Sequence, residues 1–281
     1  MNLFFLISII AFISLQNVLK KEYNRQEEKG IYIFPFLCSV CAMLFFICIS
    51  SGMEFDPGIV PYAIGFGVSY MLALVCGILA IGCGSLSLTA LINSYSLLIP
   101  TLYGLIILNE PITKTLFIGI VLLAVSLTMI NKKNEKNIIT TKWIMYVFLS
   151  FAGNGVCSVF QKMQQVDFKG EYKSEFMIIS LAIVVFVTGI LAITKEHTKI
   201  AFCMKRSWHL ACICGILNGV MNLFVMLLSN KMPASVMFPS MSAGGIVVTY
   251  FLSKYVYKEC LSGKQLIGFI MGTLSVIFLS I

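Results

Sequence analysis

Ten apolar stretches, separated by short charged or polar breaks, occupy most of this chain of 281 residues. They fall near 2–19, 31–50, 59–81, 85–108 and 112–130, then near 143–161, 176–194, 208–229, 233–253 and 264–281. A helix that spans a bilayer needs about 20 apolar residues, so ten spans leave no room for a folded soluble domain. The predicted fold is an all-α integral membrane protein with ten transmembrane helices. Charged residues make up 11% of the chain, against about 25% in soluble domains. That balance excludes a cytosolic enzyme and a disordered chain. The first run lacks a basic leading segment and a small-x-small cleavage site, and it runs into Lys20-Lys21. It is expected to stay as a helix instead of being cleaved as a signal.

The net charge of +8 comes from 20 Lys and Arg against 12 Asp and Glu. Almost all the cations lie between apolar runs, which is loop charge that sets topology and not a groove for nucleic acid. Lys20, Lys21, Arg25 and Lys29 follow span 1, and Lys132, Lys133, Lys136 and Lys142 follow span 5. Lys195, Lys199, Lys205 and Arg206 follow span 7, and Lys254, Lys258 and Lys264 follow span 9. Lys114, Lys162, Lys169, Lys173 and Lys231 fall on the other side. The positive-inside rule makes the richer set cytoplasmic and places both termini outside. The expected location is a bacterial inner or plasma membrane.

The chain also repeats itself. Asn109-Glu110-Pro111 joins two runs in the first half, with Gly119 nine residues after the glutamate. Lys258-Glu259-Cys260 does the same in the second half, where Gly268 again lies nine residues on, at an offset of 149. The expected units are 1–130 and 143–281, joined by a connecting loop at 131–142. Five spans per unit is an odd number, so the two copies enter the membrane upside down relative to each other. Inverted repeats are an architecture of alternating access, with the substrate site at the midplane between them.

The stretch Leu97-Leu-Ile-Pro-Thr-Leu-Tyr-Gly-Leu-Ile-Ile-Leu-Asn-Glu110-Pro-Ile, followed by Gly119 in a purely apolar run, resembles the EamA-type signature of the drug/metabolite transporter superfamily. The resemblance covers the whole chain in length, span number and two-half plan. The second half keeps Glu259 and Gly268 but has Thr249 where Pro100 would align. The resemblance implies a central cavity lined by spans 1, 3, 4, 6, 8 and 9. Small members of the superfamily export cationic drugs through a glutamate in their first span, where this chain has Gln16 and Asn17. Such relatives commonly keep both termini inside, so the orientation read from loop charge is opposite to theirs.

No Asp or Glu falls at mid-depth in any run, whereas ionisable residues inside a bilayer usually mark ion or proton pathways. Neutral polar residues are frequent instead: Gln16, Asn17, Tyr70, Asn93, Ser94, Tyr95, Ser96, Asn154, Gln161, Asn218, Asn222, Ser240 and Ser242. An amide in hydrocarbon needs a partner. These side chains therefore line the cavity or bond between helices, and Asn218 and Asn222 share one helix face. The candidate substrate-binding set is Gln16, Asn17, Tyr70, Asn93, Tyr95, Ser96, Asn154, Gln161, Asn218, Asn222 and Ser242.

Pro100 and Pro239 are the candidate hinges, since each frees a carbonyl inside a run. Glu110 and Glu259 read as carboxylates at the start of the following helix, or as coupling groups, with Pro111 as a first-turn proline. Lys162 reads as a snorkelling side chain or an attractor of anions, and Trp143 and Trp208 as interfacial anchors. Gly215-x-x-x-Gly219 and Gly268-x-x-x-Gly272 allow close helix packing within the monomer, or a homodimer seam through span 10.

The ten cysteines form no disulfide framework. Neither Cys38-x-x-Cys41 nor His209, Cys212 and Cys214 with Cys203 supplies a full structural metal set. An enzyme would need a positioned base, nucleophile or metal, and the histidines, His197 and His209, lie outside mid-span positions. The expectation is a carrier without cofactor or metal, moving a small polar metabolite that is neutral, zwitterionic or anionic. A flippase component for a lipid-linked substrate is the alternative.

Overall fold

The computed structural model describes residues 2–24, 30–50, 52, 54–83, 89, 92–93, 95–130, 140–257 and 263–280. Among these residues there is no strand, and ten α-helices follow one another: α1 (Asn2–Asn24), α2 (Ile33–Ile49), α3 (Val60–Cys83), α4 (Leu98–Ile106), α5 (Lys114–Ile130), α6 (Thr141–Asp167), α7 (Lys173–Arg206), α8 (Trp208–Ser229), α9 (Ala234–Tyr257) and α10 (Gly263–Ser280). Each lies within or overlaps one of the apolar runs; α7 differs most, since it continues past the run at 176–194 to Arg206, through a stretch expected to be a loop. Among the described residues, five helical segments are long and apolar enough to cross a membrane: Asn2–Lys20, Pro57–Ala80, Thr141–Asp167, Lys173–Cys203 and Trp208–Ser229. Large apolar side chains such as Phe4, Ile106, Phe117, Phe148, Phe186 and Ile193 point outward, and polar groups such as Ser14, Gln16, Gln161 and Ser180 are buried. That reversal suits a multi-pass membrane protein, whose solvent is apolar.

Two helices depart from simple rods. Helix α4 is preceded by a 3-10 turn, Tyr95–Leu97, because Pro100 has no N–H to return to the Ser96 carbonyl. Helix α7 is interrupted at Glu196, whose backbone is non-helical (φ −136°, ψ 20°). The Glu196 carboxylate is turned inward to accept N–H bonds from Ile31, Tyr32 and Ile33 at the start of α2.

Among the described residues, several of the helix contacts recur when the first five helices are exchanged for the last five, while others, such as α9–α10, have no such counterpart. The exchange carries α3–α6 into α1–α8 and α2–α8 into α3–α7, and it leaves α2–α7, α4–α9 and α5–α10 unchanged; all seven pairs are in contact. Side chains follow the same exchange. Ser180 Oγ on α7 donates to the Ala63 carbonyl at 3.1 Å, and Cys38 Sγ on α2 donates to the Ala211 carbonyl at 3.2 Å. One turn further on, Gly67 lies against the Ser180 carbonyl and Gly215 against that of Cys38, each so close that a Cβ would collide. Small residues at these crossings let the backbones approach, which is how helices associate in lipid.

Candidate functional site

A chain of amides crosses the interior. Gln16 on α1, Asn222 on α8 and Gln161 on α6 are each buried. Asn218 Nδ2 donates to Gln16 Oε1 at 3.3 Å. One turn along α8, Asn222 Nδ2 donates to both the Asn218 carbonyl at 2.9 Å and its Oδ1 at 3.0 Å. Gln161 Nε2 in turn donates to Asn222 Oδ1 at 3.2 Å. Tyr70 on α3 lines the same cavity wall as Gln16 and Asn218. The four-residue spacing of Asn218 and Asn222 lets one helix face serve α1 and α6 together. Unpaired, each amide would face a desolvation cost of about 1–3 kcal/mol, so the network is held together by the apolar surroundings.

A cavity of about 60 Å³ opens beside this network, lined by Gln16, Tyr70 and Asn218 with Lys20, Phe34 and Ser39 among others. That volume is large enough for a few waters. It reaches the surface where α1 ends and α2 begins, at the exposed Lys20.

The opposite end of the network is clamped. Lys162, one residue past Gln161, is 4% exposed and so does not snorkel. Its Nζ donates to the Ser229 carbonyl at 2.5 Å and the Met232 carbonyl at 2.8 Å, at the negative end of the α8 dipole. Glu110 accepts the N–H groups of Ala234 at 2.7 Å and Ser235 at 2.8 Å, the unpaired donors of the first turn of α9. It thus serves a helix start in the other half of the chain, not that of α5. The turn that aims it depends on Asn109, whose φ of 51° ends α4 in the left-handed region. Pro111 precedes α5 by three residues and is no part of its first turn. The Glu110 carboxylate also acts electrostatically on Lys162.

Other candidate residues lie elsewhere. Tyr95 and Ser242 line a cleft of about 10 Å³ with Pro239, between α4, α5 and α9, and Tyr95 donates to the Ala124 carbonyl at 3.2 Å. Ser96 and Pro100 are buried at the start of α4, and α9 runs through Pro239 as one helix. Asn154 is half-buried in α6, its carbonyl accepting from Cys157 and Ser158. Asn93 has a buried side-chain oxygen with no hydrogen-bond partner, as do Ser240 and Ser50. Asn17 lies in α1, its side chain outside the described residues, as are Ser94 and Glu259. Gly119 and Gly268 meet serines across the α5–α10 seam, which occupies that face of α10 within the monomer. Trp143 is buried and donates to Thr89 Oγ1 at 3.1 Å, a core contact and not an interfacial anchor; Trp208 is about half exposed.

Sequence reasoning placed Lys162 at a span end and missed its role, because the partner carbonyls lie 67 and 70 residues away. The run Lys162, Gln164, Gln165 offered a signal, since the amphipathic break comes late for a span that begins at Trp143. Among the described residues no three potential ligands converge on a metal position. The Cys38-x-x-Cys41 pair splits across the helix crossing: the Cys41 thiol donates to Cys212 Sγ at 3.2 Å, and the Cys38 thiol donates to the Ala211 carbonyl at 3.2 Å.

Neither a family model nor a curated protein matches this sequence. The fold does have a counterpart among solved structures. One crystal structure of a protein superposes with a TM-score of 0.79 over 100% of this chain and 98% of its own, at 12% sequence identity. That likeness concerns the fold alone.

Proposed function

We propose that this chain is a secondary or facilitative transporter of a small polar metabolite, with ten membrane spans in two inverted five-helix repeats and a site between the halves. The observation that carries this reading is the amide chain Gln16–Asn218–Asn222–Gln161, which joins α1 of one half to α6 and α8 of the other beside a cavity. Polar groups are expensive in a membrane interior and are placed there for a use. The exchange symmetry of the helix contacts supports the inverted repeat, because both copies then build equivalent crossings. The clamped Glu110–Lys162 end and the cavity at Lys20 fit one access state of an alternating cycle. The resemblance to EamA-type drug/metabolite transporters points the same way; the location we propose is a bacterial inner membrane with both termini outside, the reverse of such relatives.

The test is a thermal-stability screen of the purified protein against amino acids, nucleosides, sugars, amines and organic acids, followed by exchange of the best ligand across liposomes. A ligand at about 100 times its Kd stabilises by roughly 2.7 kcal/mol. Asn222→Ala and Asn218→Ala are expected to insert, fold and lose exchange. Undiminished exchange by both variants would move the site away from this network.

A further inference from the structure

Among the described residues lining the cavity, Lys20 is the one with a formal charge. The other polar groups there are the neutral side chains of Gln16, Ser39, Tyr70 and Asn218, beside the thiols of Cys38 and Cys214. Phe34, Pro35 and Leu74 supply an apolar wall. A cation entering this space would be repelled by the Lys20 ammonium and would find no carboxylate on the described wall to replace its water. Taking an ion out of water without a counter-charge costs several kcal/mol. A carboxylate meets the opposite situation: a counter-ion at the mouth, then hydroxyl and amide donors further in, forming charge-assisted bonds stronger than neutral ones.

The distribution of charge along the helix axes agrees. In the sequence, the stretches that follow spans 1, 5, 7 and 9 carry fifteen of the 20 Lys and Arg but only six of the 12 Asp and Glu: Glu22, Glu27, Glu28, Glu135, Glu196 and Glu259. The other stretches carry the remaining five cations against six acids, and the open depression at the end away from Lys20 is lined by Glu54, Glu171 and Glu175 with a single Lys173. A positive field around a low-dielectric cleft concentrates anions at its mouth.

The geometry points to small organic carboxylates bearing one negative charge as the ligand class of this cavity. The single lysine neutralises one charge, the amides and Tyr70 bond the carboxylate, and the wall of Phe34, Pro35 and Leu74 takes a short apolar skeleton. This assignment rests on the carrier reading above, and it narrows the neutral, zwitterionic and anionic candidates to one.

The deciding experiment measures the melting temperature of the full-length protein with acetate, propionate, lactate and benzoate, each beside the amide and the amine of the same skeleton. The carboxylates are expected to stabilise and their amides and amines not. Lys20→Gln should weaken carboxylate binding about tenfold, which corresponds to about 1.4 kcal/mol, while Lys142→Gln, at the same end but off the cavity wall, should leave it unchanged. Stabilisation by amides or amines that is lost in Asn218→Ala would overturn the carboxylate assignment and leave the cavity as a binding site. Carboxylate effects that survive Lys20→Gln would overturn the assignment of the charge. If no carboxylate stabilises, the ligand class falls, and liposome exchange of the other solute classes then decides separately whether the carrier reading falls with it.

Discussion

Ser126 donates its hydroxyl to the carbonyl of Gly268 at 2.7 Å across the α5–α10 seam. The bond is returned by Ser275, which donates to the carbonyl of Gly119 at the same distance. Both donor and acceptor are displaced by 149 residues between the two bonds, which is the offset that aligns Glu110 with Glu259 in the sequence. An antiparallel pair with such reciprocal contacts has a local two-fold relation between its members. Interhelical hydrogen bonds of this kind contribute about 0.6 kcal/mol each. Ser126→Ala and Ser275→Ala are therefore expected to destabilise by equal amounts of that order, and the double variant by about their sum. Unfolding of the purified protein in denaturing detergent measures this, and a loss confined to one serine would argue against an equivalent seam.

The crossing of α2 and α8 makes a second test. With Cys41 Sγ 3.2 Å from Cys212 Sγ, a modest approach brings the sulfurs to bonding distance, about 2.05 Å. Mild oxidation should give one disulfide between them, lost in Cys41→Ser and in Cys212→Ser. A protease site placed in the 131–142 connection provides the readout. After cleavage, the two halves should run together on a non-reducing gel and apart once reduced. Separation under both conditions would mean that α2 and α8 do not cross at these residues.

The extent to which the sequence anticipated the structure depended on the range of the interaction. Helix positions were legible because each run is set by its own residues. The shared face of Asn218 and Asn222 was legible because it follows from helical spacing alone. What Asn222 meets was not, since Gln161 lies 61 residues away and nothing local to either amide selects the other. The same limit explains the charged residues. Local rules correctly made Glu110 a partner for a helix N-terminus, yet assigned it the nearest one and not Ala234, 124 residues on. Trp143 stands at the edge of a run in the sequence, whereas in the structure it is buried with Ala80 and Val147 and bonded to Thr89, 54 residues away.

Helix α3 lies close enough to α6 for a single methyl group to matter. A Cβ on Gly153 would meet the Ser69 carbonyl at 2.7 Å and the Ala73 amide nitrogen at 2.9 Å, both rigid backbone. On Gly77 it would meet Ser150 Oγ at 3.1 Å, the end of a rotatable side chain. Alanine is favoured over glycine inside a helix by about 1 kcal/mol, and that gain is available at Gly77 once Ser150 adjusts. Gly77→Ala should be neutral or stabilising, and Gly153→Ala should lower the melting temperature, with overpacking costs of about 1–3 kcal/mol. Equal tolerance of the two substitutions would mean that α3 and α6 stand further apart than described.

Lys162 and Glu110 grip the two ends of the α8–α9 connection, one on its last carbonyls and the other on its first amides. Removing the lysine charge in Lys162→Met strands two carbonyls and withdraws a cation that Glu110 feels. Removing a single member of a buried charged arrangement costs about 3–5 kcal/mol. Glu110→Gln keeps the shape and one acceptor oxygen, so its cost should be smaller, about 1–2 kcal/mol from the weakened helix-end bonds. The two residues act on one turn and on each other, so the double variant should be less destabilised than the sum of the singles, with a coupling of at least about 0.5 kcal/mol. A double-mutant cycle from unfolding midpoints measures that coupling. Strict additivity would show that the lysine and the glutamate hold their helix ends independently, and the clamp would then be two separate caps.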